Sequence, residues 1–169
     1  MPATYDSIAT TTLGSASSIT FSSIPSSYTD LRLTFVGVAS SGTTTKRIQF
    51  NADTSTASTN YSTTIVLGNG TSPISNRYTN EFGIRLASNQ VADSLTIPVF
   101  IAVDIFSYNG STNKTVLSME ASDQNGAGYV QANVGLWRST AAITSLTLMI
   151  NANTFAAGAT ATLYGIKSA

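Results

Sequence analysis

Apolar and polar residues alternate in short runs along most of this chain. Leu31, Leu33 and Phe35 alternate with Arg32 and Thr34, and Ile19 and Phe21 bracket Thr20 in the same way. A period of two marks a strand with one buried face. Between these runs, "SIPSSY" carries Pro25 and reads as a connection. The Ser- and Thr-rich segment 17–35 is therefore sheet rather than linker, because Thr suits the pleat and fills its outward positions.

The pattern continues to the last residues. "KRIQFN" sets Ile48 and Phe50 on one face, "YSTTIVLG" covers 61–68, and "EFGIRLA" alternates through Phe82, Ile84 and Leu86. "IPVFIAVDIFSY" (97–108) is apolar on both faces, as a central strand is. "KTVLSMEA", "GYVQANVGLW" (128–137), "ITSLTLMIN" (143–151) and "ATATLYGI" (159–166) complete the set. Asn69-Gly70, Asn109-Gly110 and Asn125-Gly126 punctuate it as turn signals, the second within a longer loop, "NGSTN". No window shows a helical period, and only "RSTAA" (138–142) suggests a helical turn. The expectation is one domain over 1–169, an all-β antiparallel sandwich of about 8–10 strands with little or no helix, jelly-roll-like or another Greek key. "SYTDLRLTF" (27–35) echoes "AITSLTLMI" (142–150), which suggests equivalent positions in the two halves of a sandwich.

Composition narrows the function. Hydrophobic residues make up 42% of the chain and charged residues 9%, with a net charge of +0. Ser, Thr, Asn and Gly take the place of charge. That leaves enough apolar residues for a core but little electrostatic repulsion between copies, as suits a component of a larger assembly. The eight Lys and Arg are scattered, only Lys46 and Arg47 being adjacent, so they read as solvated strand positions and not as a phosphate-binding patch. The chain has no Cys and no His, which excludes disulfides, thiol nucleophiles, His-based triads and His or Cys metal sites. "MPATYDSIATTTLG" has no basic or apolar region of a secretory signal, and "LTIPVFIAVDIF" (95–106) is too short to span a bilayer. A soluble protein without membrane or nucleic-acid partners is expected.

Candidate chemistry is sparse. Glu120 and Asp123 are close enough in sequence to suggest a carboxylate pair, but two acids beside one turn are more often turn formers. Asp104 lies inside the apolar strand and calls for an Arg partner or a subunit contact. Asp53, Asp93 and Asp123 could serve calcium only as isolated oxygen ligands. Trp137, followed by Arg138, is either a sandwich core residue or a platform for a sugar, and Tyr61, Tyr78, Tyr108 and Tyr129 share that ambiguity. No catalytic, cofactor-binding or metal-ligating residue is assigned, and no cofactor is expected.

Three stretches carry a resemblance: "TTLGSASSITFSSIPSSYTDL" (11–31), "LWRSTAAITSL" (136–146) and the terminal F-x-x-G-x-x-x-x-LYGIK (155–167). They resemble small structural proteins of tailed bacteriophages, while the middle of the chain, from about 40 to 125, carries no such motif. The resemblance implies a β-sandwich virion component made in the host cytoplasm. In its decoration (cement) form, such a protein stands on the outer capsid surface as a homotrimer and bridges major capsid protein subunits. The alternative is a tail fibre or spike module that recognises host glycans. No catalytic residues are implied.

Overall fold

A computed structural model describes residues 4–40, 42, 44–53, 60–87 and 94–167. Twelve strands run through them: β1 Tyr5–Thr12, β2 Ser18–Phe21, β3 Asp30–Gly37, β4 Thr45–Phe50, β5 Tyr61–Gly68, β6 Pro73–Glu81, β7 Ile84–Arg85, β8 Val99–Ile105, β9 Lys114–Ser122, β10 Tyr129–Trp137, β11 Leu146–Asn151 and β12 Thr160–Ile166. All pairings are antiparallel. One sheet has eight strands in the order β1-β12-β3-β8-β9-β10-β5-β6, and the other has four, β2-β11-β4-β7. The fold is the expected all-β sandwich.

Its winding is that of a jelly roll. Without the hairpins β5–β6 and β9–β10, eight strands remain. Their sheets then read first-eighth-third-sixth and second-seventh-fourth-fifth. The two hairpins extend one sheet beyond the other. β3 and β11, which carry the internal echo, are each the third strand of their sheet's jelly-roll order when the four-stranded sheet is counted from β7.

The core follows from the alternation. Leu31, Leu33 and Phe35 of β3 and Ile101, Val103 and Ile105 of β8 point inward against Ile19, Phe21, Ile48, Leu146 and Leu148 of the smaller sheet. Burial of such side chains contributes about 1.5–3 kcal/mol each. Phe50, Tyr61 and Trp137 close one end, with the Tyr61 and Trp137 rings stacked at 6.3 Å and Phe50 5.4 Å from Trp137.

Three local expectations change. β6 is an additional strand that the sequence hid, since Ile74 is its only aliphatic side chain. Of the run 81–87, Glu81 ends β6 and only Ile84 and Arg85 form β7. Phe82 and Gly83 between them cross the outside of β4, where Gln49 Nε2 donates to the Phe82 carbonyl and the Arg47 guanidinium lies 4.2 Å from the Phe82 ring. Residues 138–142 form no helical turn. Among the described residues, the one short 3-10 turn is Gln124–Gly126, where Asn125 and Gly126 take positive φ.

Candidate interaction surface

The outward face of the eight-stranded sheet is the most unusual surface of the molecule. Across the central strands β8, β9, β10 and β5, outward residues line up in rows through the strand registers. One row runs Phe100–Ala121–Val130–Gly68, the next Ala102–Met119–Ala132–Val66, and the third Asp104–Leu117–Val134–Thr64. Val66, Phe100, Leu117, Met119, Val130 and Val134 are each 46–53% exposed. On the β3 side the rows continue as Val36, Thr34 and Arg32, then as Thr160, Thr162 and Tyr164 of β12. There Thr10 and Thr162 hydroxyls hydrogen-bond at 3.0 Å, giving a hydroxyl-rich margin. Soluble monomers rarely expose one contiguous apolar patch of this kind, and such patches mark interaction sites.

The sequence read β8 as apolar on both faces because it is central. β8 is central in its sheet, but its second face is not core. Phe100 lies outward and exposed, Ala102 is covered by its neighbours, and Asp104 pairs with Arg32 at 3.4 Å. Asp104 thus has the Arg partner its position called for. The pair is about one-third exposed and contributes under about 1 kcal/mol.

The adjacent cations Lys46 and Arg47 are not solvated, contrary to the sequence reading. β4 is an inner strand of the smaller sheet, and both of its faces are covered. Lys46 points between the sheets and donates to Glu120 Oε1 at 2.9 Å, and the Tyr129 hydroxyl donates to the same oxygen at 2.9 Å. Arg47 points outward under the 82–83 crossing and donates to Glu81 Oε2, while Arg85 donates to Glu81 Oε1. Burial, and secondarily Arg85, pushes the Arg47 pKa down from its usual value. The extended hairpins explain this polar interior. Where β9 and β10 reach past the apolar core, their inward positions are Ser118, Glu120, Gln131 and Asn133, and Gln131 and Asn133 both donate to the Leu86 carbonyl.

The candidate acids do not assemble. Glu120 is fully buried in its ion pair, and Asp123 caps the 3-10 turn by accepting from the Gly126 N–H at 3.3 Å. Asp53 accepts from Asn60 Nδ2 and from the Trp137 indole N–H at 2.9 Å. Asp93 lies outside the described residues. Among the described residues, no group of three His, Cys, Asp or Glu could hold a metal ion.

The aromatic candidates are also committed to the fold. Trp137 is 3% exposed, Tyr61 bonds the Phe50 backbone, Tyr108 donates to the Pro25 carbonyl, and Tyr129 holds Glu120. Tyr78 is half-buried, with the Arg85 guanidinium 4.0 Å from its ring centre. Arg138 donates to the Ser62 hydroxyl at 3.0 Å. None of these rings offers an open sugar platform. An open cleft of about 640 Å³ lies where the β5–β6 and β9–β10 turns meet the start of β8, lined by Asn69, Ile97, Pro98, Ser122, Asp123 and Tyr129 among others.

The apolar face was partly legible. "KTVLSMEA" places Leu117 and Met119 on the face opposite Val116, and only the strand order brings them beside Phe100 and Val130. Comparison with known proteins finds no family model, no curated protein and no solved structure that matches this chain.

Proposed function

We propose that this protein is a structural component of a tailed-phage virion. Its role is that of a decoration, or cement, protein on the outer capsid surface, contacting neighbouring major capsid protein subunits. The observation that carries the reading is the exposed apolar face of the eight-stranded sheet, on a surface that otherwise bears hydroxyls and little charge. Such a face gains free energy by being covered, at about 25 cal/mol per Å² of apolar area removed from water. The acids and aromatics that could have signalled catalysis or sugar stacking are bound up in ion pairs, turn caps and core packing. The sequence resemblance points the same way. Mechanically, the protein would stabilise a shell through buried apolar and hydrogen-bonded surface between subunits, with no chemical step.

The test is reconstitution. Purified protein added to phage shells stripped of it is expected to bind saturably and to raise their heat resistance. Absence of binding at saturating protein overturns the proposal. The cleft beside Asn69 and Asp123 favours a second reading, a tail module that holds a host glycan. Specific glycan-array binding that is lost in Asp123→Ala would move the assignment there.

A further inference from the structure

Among the described residues, the large hydrophobic side chains left exposed are Tyr5, Val36, Val66, Leu95, Phe100, Phe106, Leu117, Met119, Val130 and Val134. All but Leu95 sit at outward positions of the eight-stranded sheet, with Phe106 just past the end of β8 and Tyr5 at the far corner on β1. Large and small residues alternate in the first two rows of the central face, and the third row breaks the alternation with Leu117 beside Val134. Phe100, Ala121, Val130 and Gly68 form one row, and Ala102, Met119, Ala132 and Val66 form the next, out of phase with it. Facing layers interdigitate when bumps on one meet hollows on the other.

We propose that this face packs against the same face of a second copy of the chain, about a two-fold axis that runs along the strands between β9 and β10. The inference rests on reading the face as an assembly surface, but it assigns the cover of that face to a second copy, so that any contact with a shell would fall to surfaces outside it. The symmetry sets β9 over β10 and β8 over β5 of the second copy. Met119 then faces Ala132, Val130 faces Ala121, Phe100 faces Gly68, and Val66 faces Ala102. In the third row Leu117 meets Val134, and Asp104 meets the Thr64 hydroxyl. Further out, the symmetry brings Arg32 towards Arg77 of the second copy, and Asp104 lies beside both guanidinium groups. Aligned sheets cross at about 30°, so the match is closest near the axis.

Area and chemistry favour a second copy as the occupant. Six strands about 4.8 Å apart and four outward rows about 6.7 Å apart, the fourth running from Phe106 through Thr115 and Leu136 to Ser62, give a flat face of ~770 Å², of the order of the roughly 800 Å² that each partner contributes to a standard interface. The face carries no strong charge of one sign to repel its own copy. A ring such as a homotrimer needs a different, complementary patch, because a heterologous contact joins two unlike surfaces. The described residues offer no second apolar patch, since Leu95 stands alone. The face can therefore be covered by its own kind only isologously.

Sedimentation equilibrium of the purified full chain tests this. The expected species has twice the 17.6 kDa mass of one chain. Met119→Lys and Ala132→Lys are each expected to weaken the dimer at least about thirtyfold, the scale of a central interface position. Thr20→Lys, on the outward face of the smaller sheet, is expected to leave it unchanged. Circular dichroism melts check that the variants fold, since position 119 is exposed in the single chain. A monomer, a trimer, or a dimer insensitive to both central variants overturns the inference. A dimer from a protein that does not bind shells supports the contact and fails only the decoration reading. Shell binding without a dimer fails the contact and leaves that reading standing.

Discussion

Lys46→Met removes the ammonium from an ion pair whose side chains are 1% and 0% exposed and whose N···O distance is 2.9 Å. The Glu120 carboxylate stays buried with the Tyr129 hydroxyl but without the charge of Lys46. Breaking one side of such a pair costs about 3–5 kcal/mol, because desolvation of the remaining ion is no longer offset. A chain of this length shifts its Tm by roughly 2–4 °C per kcal/mol, so a fall of about 6–20 °C is expected. Replacing the whole cluster gives a different result. Lys46→Met with Glu120→Leu and Tyr129→Phe removes both ions and the hydroxyl of this cluster together, and it should recover most of the loss, as apolar replacement of buried ion pairs often does. The assay is urea unfolding followed by circular dichroism and Trp137 fluorescence together, with coincident transitions required before free energies are compared. A Lys46→Met variant within about 1 kcal/mol of the parent would refute the burial argument.

Four further outcomes follow from the packing. Gly135→Ala should cost about 1–3 kcal/mol, because its Cβ would stand 2.3 Å from Ile84 Cγ2, and Ile84→Val should restore part of it; thermal melts of the single and double variants decide. Trp137→Ala should cost about 3–5 kcal/mol in urea unfolding, since it empties the stack with Tyr61 and Phe50. Asp104→Asn should change stability by under about 1 kcal/mol in the same assay, its ion pair being partly exposed. Burial holds the Tyr61 and Tyr108 hydroxyls above the ordinary phenol pKa, so the folded state retains protons that the unfolded chain loses above pH of about 10. Stability should therefore be constant with respect to these groups below that pH and fall as pH rises past it, and Tyr61→Phe should flatten the fall seen in pH-dependent melts.

The strands were legible wherever one face was apolar: in β3 that face is the core, whereas in β10 the apolar face with Val130 and Val134 is the exposed one and the buried face carries Gln131 and Asn133. The jelly-roll order was legible only as a class, since alternation does not say which strands pair. β6 stayed hidden because an edge strand that packs few side chains needs few apolar residues. The burial of Lys46 and Arg47 was illegible for a different reason. Their partners Glu120 and Glu81 lie 74 and 34 residues away on β9 and at the end of β6, and only the packing of the two sheets brings them to β4. Trp137 could be read two ways until Asp53 was found accepting its indole N–H. The exposed apolar face of the larger sheet sits between these cases. The outward apolar residues of β8, β9 and β10 were visible locally, but a continuous surface exists only once these strands and β5, with its Val66, are adjacent.

The central claim is that this chain coats a virion head. Gold-labelled antibody against it, applied to intact virions under the electron microscope, tests that most directly. Regularly spaced label over the head is the predicted result. Label confined to the tail, or no label on virions at all, would contradict it.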